Sequence, residues 1–480
     1  MAANLVHVRE TRGAAAIGGL ASPHQTVEEL YLFTKVLRGL GTENIDHRPA
    51  QAVDTQGAGA RWLGMPIAGL GHLDRILLVG ATLRQEQPLV ARRIRQAVKN
   101  QGQLNVIHAA DDNLLCKVHG KLITAPAAWL NALAQVAKAL SDAGAQVEDA
   151  AAAMEGVSAS ERARAIADSL MSGERKAVLL GALAQNHPDA DRIHALAQAI
   201  ARACGATLGF LSVAANSVGA QLAGARPGPD GLNAAAMLAQ PRSAIVFMGV
   251  EPALDAFDAA AARDALKAAE FSVALTAFRS PALEDCNVLL PIAPFAETAG
   301  TFVNMEGRAQ SFHGAVKPQG EARPAWKVLR VLGNLLSLHG FDYDSVESVR
   351  ADALPGGQDG IAAHLDNAIA GVVLGDLAAG TGLGRLGETP LYQLDPLTRR
   401  APALQAAAGA DGEACANGSL LARLGLEAGV RVRVRQGDAV VEMILRRDDR
   451  LADGVVRVPA GCPSTAALGG RIGPISVEKA

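Results

Sequence analysis

The stretch that decides the fold is Ile76-Leu77-Leu78-Val79-Gly80, an apolar run that ends at a glycine. The pattern recurs at Ala177-Val178-Leu179-Leu180-Gly181 and at Ile245-Val246-Phe247-Met248-Gly249. Every position before the glycine is apolar, as expected for a strand that is covered on both faces of a parallel sheet. The three runs therefore predict three buried parallel strands.

A helical segment follows each of these runs and leads to another apolar run. A proline lies where each helix can begin, at Pro88, Pro188 and Pro252. The apolar runs that follow the helices are Leu104–His108, Leu208–Val213 and Phe271–Leu275. Strand, helix and strand in this order form βαβ units, so the chain is predicted to be α/β with parallel sheets. Val288-Leu289-Leu290-Pro291 predicts one more strand, which the proline ends.

The last part of the chain has a period of two instead. Valines alternate with Arg431, Arg433 and Arg435, a Gly437-Asp438 turn follows, and Val440–Leu445 continues the pattern. This alternation predicts a β-hairpin with one buried face, in a small all-β domain for which a barrel is the expected form. The arginines are either a docking face for an acidic partner or the solvated face of an edge hairpin, and the hairpin is favoured.

These patterns divide the chain into four segments. Residues near Pro355 and Gly382 are rich in glycine, proline and alanine, which indicates a linker or peripheral segment with short helices. The predicted segments are a first α/β lobe at 1–150, a second at 151–344, the linker at 345–412 and the β-barrel at 413–475.

Composition excludes several classes of protein. The 480 residues carry a net charge of −3 and only 3% aromatics, which argues against binding nucleic acid by phosphate neutralisation or base stacking. The five cysteines show no ligand-like spacing and are expected to be mostly buried thiols in a reducing compartment: Cys116, Cys204, Cys286, Cys415 and Cys462. No metal site is therefore predicted.

A membrane span is also not predicted. The uncharged stretch between Arg202 and Arg226 is long enough to cross a bilayer, but it contains several glycines together with Asn216, Ser217 and Gln221. A buried strand and a following turn explain it better. The charged residues Arg9, Glu10 and Arg12 interrupt any secretory signal at the start.

Two groups of residues are weak candidates for a site. Gly80, Gly181 and Gly249 end strands where doubly wound sheets bind phosphates, but no G-x-G-x-x-G pattern is present and tight turns are the simpler interpretation. Ala215-Asn216-Ser217-Val218-Gly219 differs by one residue from a nucleophile elbow, so a serine hydrolase centred on Ser217 is a poorly supported alternative.

The most distinctive segment is polar and rich in glycine. It reads Glu297-Thr298-Ala299-Gly300-Thr301-Phe302-Val303-Asn304-Met305-Glu306-Gly307-Arg308-Ala309-Gln310. Its composition predicts a turn-rich loop packed against two domains, in which Glu297 and Arg308 form a pair.

This segment, with the preceding Asn287–Pro291, resembles a loop typical of the molybdopterin oxidoreductase superfamily. The matching residues are Glu297, Gly300, Thr301, Asn304, Glu306, Arg308 and Gln310. Residues Leu20–Arg48 and Ala60–Ala97 resemble more closely the family of G subunits of respiratory NADH:quinone oxidoreductases (complex I). The resemblance extends over roughly residues 12 to 475. It implies two Rossmann-like lobes followed by a small C-terminal β-barrel.

The resemblance also implies a role. The G subunits carry their iron–sulfur clusters on N-terminal ferredoxin-like modules, whose cysteine motifs do not occur here, and they keep the fold without molybdenum. We therefore expect a structural scaffold without a cofactor or a catalytic residue of its own, within a complex that transfers electrons from NADH to quinone and translocates protons. The expected partners are other peripheral-arm subunits, and the expected place is the cytoplasmic side of the inner membrane. Whether the chain is a truncated or a split subunit stays open.

The main alternative is a molybdopterin-dependent oxidoreductase subunit. It would bind the cofactor at the strand ends near Gly80, Gly181 and Gly249.

Overall fold

The computed structural model describes residues 1–53, 57, 59–375, 377, 382–408 and 412–480. The chain forms two compact units, and it alternates between them along its length. Unit 1 consists of Met1–Gln51, Ala214–Leu365 and Tyr392–Gly409. Unit 2 consists of Ala52–Val213, Asp366–Leu391 and Ala410–Ala480.

The secondary structure alternates between strands and helices for most of the chain. Within the described residues the strands are β1 Ile17–Ala21, β2 Ile45–Asp46, β3 Arg75–Val79, β4 Gln103–His108, β5 Gly120–Ile123, β6 Lys176–Leu180, β7 Thr207–Phe210, β8 Ala244–Met248, β9 Phe271–Thr276, β10 Val288–Pro291, β11 Gly300–Val303, β12 Ala309–Phe312, β13 Leu383–Leu386, β14 Glu413–Ala416, β15 Arg431–Gln436, β16 Ala439–Arg447, β17 Val455–Arg457 and β18 Ile472–Lys479. The α-helices in the same ranges are α1 Ala2–Arg12, α2 Val27–Gly39, α3 Leu83–Glu86, α4 Pro88–Lys99, α5 Trp129–Asp142, α6 Ala151–Met154, α7 Glu161–Met171, α8 Ala182–Gln185, α9 Ala190–Cys204, α10 Ser217–Leu222, α11 Ala234–Ala239, α12 Pro252–Asp255, α13 Ala259–Ala268, α14 Ala325–Leu335, α15 Val346–Ala353, α16 Gly357–Ala363, α17 Pro396–Arg399, α18 Pro402–Ala408 and α19 Gly418–Leu424.

Unit 1 is built on a parallel five-stranded sheet. Its strands lie in the order β10-β9-β8-β1-β2, and every neighbouring pair is parallel. The central strand β8 (Ala244–Met248) contains the predicted run Ile245–Met248, and it is buried at all five positions. The strand predicted at Val288–Pro291 is β10 at the edge of this sheet, where a proline is tolerated.

Unit 2 contains a second parallel sheet, in the order β5-β4-β3-β6-β7. The first two predicted runs, β3 and β6, are neighbours in this sheet. Trp129 of α5 lies in the core of unit 2 with no exposed surface, and its ring stacks on His187 at 5.7 Å between centroids. The predicted α/β fold with Rossmann-like parallel sheets is confirmed.

The helix starts agree with the prolines at two of three positions. Helix α4 begins at Pro88 and helix α12 begins at Pro252. Helix α9 begins at Ala190, two residues beyond Pro188. The uncharged stretch before Arg226 contains strand β7 and a turn at 215–216, as predicted, and continues into the short helix α10. In the part of the chain that the structure describes, no helix is long and apolar enough to cross a membrane.

The predicted barrel is also confirmed and belongs to unit 2. Its closed strand order is β13-β17-β14-β16-β15-β18. Strands β15 and β16 form the expected hairpin, but closure leaves this hairpin without a free edge. Arg431 lies 3.9 Å from Glu442 and Arg433 lies 3.6 Å from Glu478, so carboxylates of the neighbouring strands compensate these two arginines.

One barrel strand and one barrel side chain were not predicted. Strand β13 lies inside the segment expected to be a linker, of which residues 376, 378–381 and 409–411 lie outside the described residues. Arg385 of β13 is 2% exposed, although it is an arginine. Its guanidinium donates hydrogen bonds to the carbonyls of Val458, Pro459, Gly469 and Gly470 and to the side chain of Gln436. These acceptors compensate the loss of water around the buried charge.

Candidate functional site: a hairpin anchored on buried carboxylates

The distinctive polar segment forms a β-hairpin in unit 1. Strands β11 and β12 pair antiparallel, with Thr301 opposite Ser311 and Phe302 opposite Gln310. Asn304 holds the turn, because its side-chain oxygen accepts hydrogen bonds from the amides of Glu306 and Arg308, each at 3.0 Å. The matched residues thus build a tight hairpin in place of the predicted turn-rich loop.

The ion pair predicted within this segment is wrong. Arg308 contacts Glu306 at 3.1 Å, because the turn brings these two side chains together. Glu297 lies before strand β11 and accepts a hydrogen bond from the amide of Gln319 at 3.2 Å. Gln310 is exposed on strand β12.

The hairpin is anchored on the first turn of helix α2. Thr26 caps this helix, and Thr26 and Glu29 form a reciprocal capping box. Gly300 packs against Thr26 so closely that a Cβ atom at this position would lie 2.3 Å from the Thr26 methyl carbon. Glycine is therefore required where the hairpin meets the helix.

Glu28 is the main anchor. Its carboxylate has no exposed surface and accepts two hydrogen bonds from Thr301, from the amide at 2.9 Å and from the hydroxyl at 2.7 Å. Arg350 of helix α15 donates to the hydroxyls of Ser311 at 2.5 Å and Thr301 at 3.3 Å. Burial nevertheless raises the pKa of Glu28, against the effect of these hydrogen bonds.

Glu29 lies beside this anchor and is equally buried. Its two oxygens accept hydrogen bonds from the amides of Thr26 at 3.0 Å and Ala325 at 3.2 Å, so it also holds the start of helix α14. Burial raises the pKa of Glu29 to about 7, and the neighbouring Glu28 contributes in the same direction. Burial thus raises the pKa of both adjacent carboxyl groups.

Asn216 completes the attachment from the other side of the hairpin. It is fully buried, accepts a hydrogen bond from the amide of Val303 at 2.8 Å and donates one to the carbonyl of Gln25 at 2.8 Å. Glu28, Glu29 and Asn216 were not identified from the sequence as site residues. The Thr26-x-x-Glu29 capping-box pattern was a usable signal for the start of helix α2. Glu28, Glu29 and Asn216 are satisfied by backbone and hydroxyl donors, so the arrangement holds a hairpin in place.

The hydrolase alternative has no support in the geometry. The Ser217 hydroxyl donates to the carbonyl of Ala214 at 3.2 Å and accepts from its amide at 3.1 Å. None of the described histidines hydrogen-bonds to it, so it lacks the base that would activate a nucleophile.

The glycines at the strand ends do not form an open phosphate cradle. The amides of Gly80, Gly181 and Gly249 donate to the carbonyls of neighbouring strands, at 2.9, 2.8 and 2.9 Å. A Cβ atom on Gly181 would lie 2.2 Å from the Cβ of Ala81, and one on Gly249 would lie 2.3 Å from the Gln25 amide nitrogen. Protein atoms fill the space at these turns, so the three glycines do not fit a bound cofactor phosphate.

The carboxyl end of strand β8 is closed by the chain's own arginines. Glu251 is 2% exposed and pairs with Arg399 at 2.9 Å and Arg400 at 2.5 Å. Arg399 also pairs with Asp255, and the Arg400 guanidinium lies 4.8 Å from the ring centroid of Phe278. Although burial opposes it, these arginines hold the pKa of Glu251 below its ordinary value. All of these groups belong to unit 1 and satisfy one another.

Unit 2 keeps a small pocket beyond strand β4. Its cavity volume is only about 10 Å³, about the space of one water molecule, and its polar lining consists of His108, Asp111, Asp112 and Lys121. His108 is 2% exposed, and its Nε2 has no hydrogen-bond partner. Asp111 and Lys121 pair with each other at 2.7 Å. In the described ranges no group of three or more histidine, cysteine, aspartate or glutamate side chains could hold a metal ion.

The comparison with known families follows the fold. The sequence profile of the molybdopterin oxidoreductase family matches residues 1–335, and this chain belongs to that family. The structure is also similar to acetylene hydratase from Pelobacter acetylenicus, with a TM-score of 0.70 and 13% identity, covering 100% of this chain and 88% of that one. At this identity the similarity shows the fold alone.

Curated relatives point to a narrower group. The G subunit of the NADH-quinone oxidoreductase of Mycobacterium bovis is 32% identical over 323 residues, covering 62% of this chain and 39% of the relative. The alpha subunit of the NADPH-Fe(3+) oxidoreductase of Geobacter sulfurreducens is 26% identical over 394 residues, covering 69% and 47%. The chain thus spans less than half the length of these relatives.

Proposed function

We propose that this chain is the molybdopterin-oxidoreductase-fold part of a peripheral-arm subunit of an NADH:quinone oxidoreductase. The observation that carries the proposal is the 32% identity to a G subunit of such an enzyme over 323 residues. The hairpin of β11 and β12 supports the proposal as well, because Gly300 and Thr301, two of the residues that match the family's segment, make the contacts that attach the hairpin to helix α2. The partners would be other peripheral-arm subunits, which place the chain on the cytoplasmic side of the inner membrane.

Within that complex the chain would act as a scaffold. Three kinds of contact support this role. The strand-end glycine amides are used within the sheets, Glu251 is neutralised by Arg399 and Arg400, and the buried carboxylates of α2 hold structural amides. Electron transfer from NADH to quinone would then depend on cofactors held by other modules, and this chain would bind neither molybdenum nor an iron–sulfur cluster.

The test is a purification from the native host under mild conditions, with an affinity tag on the chain. We expect NADH:quinone oxidoreductase activity and the other subunits of that complex to co-purify, and molybdenum and tungsten to stay below about 0.1 atom per chain. Purification with neither the activity nor those subunits would refute the assembly proposal. Stoichiometric molybdenum or tungsten would refute the scaffold role.

The second candidate is a cofactor-binding subunit of a molybdopterin oxidoreductase. The observation in its favour is the unpartnered Nε2 of His108, a donor or acceptor that a ligand would satisfy. The pocket beyond β4 would have to open to admit a pterin nucleotide, because its cavity of about 10 Å³ holds about one water molecule. If the pocket holds a pterin nucleotide in the native protein, acid oxidation of the purified material should release a fluorescent pterin. A His108→Phe variant should then release at least tenfold less, whereas no release from the wild type would remove this candidate.

A further inference from the structure

Two consecutive helices of unit 2, α3 and α4, together carry a concentration of positive charge. Between Leu83 and Lys99 the chain has five cations and one carboxyl group, Glu86. Burial and then the nearby Glu388 raise the pKa of Glu86 to about 8, so at neutral pH it offsets little of this charge. The five cations are all exposed to solvent: Arg84, Arg92, Arg93, Arg95 and Lys99.

None of these five cations forms an ion pair with another described residue. Arg84 donates only to the carbonyl of Asn113, at 2.8 Å. Four exposed arginines elsewhere in unit 2 have a carboxylate partner within 2.9 Å: Arg175 with Asp74, Arg202 with Asp149, Arg423 with Asp453 and Arg446 with Glu413. These four arginines show that exposed guanidinium groups of this unit can pair with carboxylates, which the cations between Leu83 and Lys99 do not do with any described residue.

The arrangement is unfavourable for the isolated helix. Arg92 and Arg95 are three residues apart, and Arg95 and Lys99 are four apart, so like charges face each other on the same side of α4. A sequence under selection for helix stability alone would place carboxylates among them. The uncompensated charge therefore suggests a partner outside the chain.

The other side of α4 is already used. Val90, Ile94 and Ala97 are buried in the core of unit 2. Leu89 is the exception among the apolar residues, since it is 73% exposed and lies three and four residues before Arg92 and Arg93. The free face of α4 thus combines one exposed apolar side chain with a border of guanidinium groups, the residue types that anchor protein interfaces.

We infer that the exposed surface formed by Arg84 of α3 and by Leu89, Arg92, Arg93, Arg95 and Lys99 of α4, termed the α4 face, is a docking surface for an acidic protein partner. Four of the five cations are arginines, whose planar guanidinium groups pair with carboxylates in two-pronged geometry. A membrane surface fits less well, because the apolar side of α4 is buried and only Leu89 is available to insert. Nucleic acid fits less well because the whole chain carries a net charge of −3.

The inference goes beyond the proposed role in NADH:quinone oxidoreductase and does not depend on it. An acidic partner can belong to that complex or to another assembly. Co-purification of the complex tests the first proposal, whereas the experiment below tests the chemistry of the α4 face in either case.

The test is site-specific photo-crosslinking of the full chain in its native cells. Benzoylphenylalanine is incorporated at position 89, and at position 373 as a control, because Val373 is 83% exposed in the same unit. We expect a crosslink from position 89 to a peptide of a protein surface with net negative charge. No crosslink above the level of position 373, or a crosslink to lipid or to a neutral or basic surface, would overturn the inference.

Two charge variants of the position-89 protein complete the test. In the first, four α4-face arginines are replaced by glutamine, which keeps helix propensity: Arg84, Arg92, Arg93 and Arg95. The matched control removes the same charge from the paired arginines Arg175, Arg202, Arg423 and Arg446. We expect the crosslink yield to fall at least tenfold in the first variant and less than twofold in the control. Equal yields in the two variants would contradict a role for the α4 charges.

Discussion

The buried Glu29 makes stability depend on pH in a direction that can be tested by one substitution. Its pKa is raised from 4.5 to about 7 in the folded chain, with burial as the largest cause. The folded state therefore binds a proton at Glu29 more tightly than the unfolded state does. This contribution to stability is complete below pH 4.5 and is lost as the pH rises through about 7. Glu29→Gln removes the titration and keeps a residue that suits the capping box.

The size of the effect follows from the two pKa values. The rise in the pKa of Glu29 from 4.5 to about 7 corresponds to about 3.4 kcal/mol of unfolding free energy, at about 1.36 kcal/mol for each pKa unit. About 2.5 kcal/mol of this falls between pH 5 and pH 8, from the two-state linkage relation. The stability of Glu29→Gln relative to the wild type should therefore rise by about 2.5 kcal/mol over this range. A constant cost, such as a weakened hydrogen bond from the Thr26 amide, cancels in this difference.

The assay is urea unfolding at pH 5, 6, 7 and 8, followed by the fluorescence of Trp326. Both proteins carry Trp62→Phe and Trp129→Phe, so that the signal comes from unit 1, where Trp326 is 5% exposed. Glu347→Gln, at an exposed position of the same unit, is the control and should change by less than about 0.5 kcal/mol. A relative change below about 1 kcal/mol for Glu29→Gln would refute the argument that Glu29 titrates in its buried position.

Three further predictions concern the hairpin and the barrel. Thr301→Val removes a hydroxyl donor from a buried carboxylate and should cost about 2 kcal/mol, seen as roughly 30-fold faster amide exchange in β11. The control Thr298→Val loses only a 3.2 Å bond to a backbone carbonyl and should leave that exchange within about threefold. Gly300→Ala should lower the melting temperature of unit 1 by several degrees through its clash, whereas Gly384→Ala, with nothing within 4 Å of the added carbon, should not. Arg385→Met leaves several buried carbonyls unpaired and should destabilise the barrel by about 3 kcal/mol or more in urea unfolding, and an unchanged midpoint would show that water replaces the guanidinium.

Much of the fold was predictable from local patterns. The continuous apolar runs ending at Gly80, Gly181 and Gly249 became strands in parallel sheets, and the alternating valines near Arg433 became a barrel hairpin. These predictions worked because burial on two faces or on one face leaves a direct trace in the order of side chains. The polar segment around Thr301 was recognised as distinctive because neither the strand period nor the helix period accounts for it.

The candidate site was less predictable, because its key groups lie far apart in the chain. Glu28 and Thr301 are separated by 273 residues, and Glu29 and Ala325 by 296. In the sequence Glu28 and Glu29 look like solvated charges in a first helical turn, where acids are common. Only packing of the hairpin and of α14 over that turn removes water from both carboxyl groups and raises their pKa values.

The sequence by itself determined that the chain is α/β with a terminal barrel and that it carries the family's distinctive segment. The tertiary structure alone decided that β3 and β6 share one sheet while β8 lies in the other, and that β13 closes the barrel. It also decided that each unit is built from three separate segments of the chain. The physical reason is that the spacing of apolar residues along a strand records which of its faces are buried. The neighbours of a strand in the sheet depend instead on contacts between segments far apart in the sequence, and these contacts leave no local pattern.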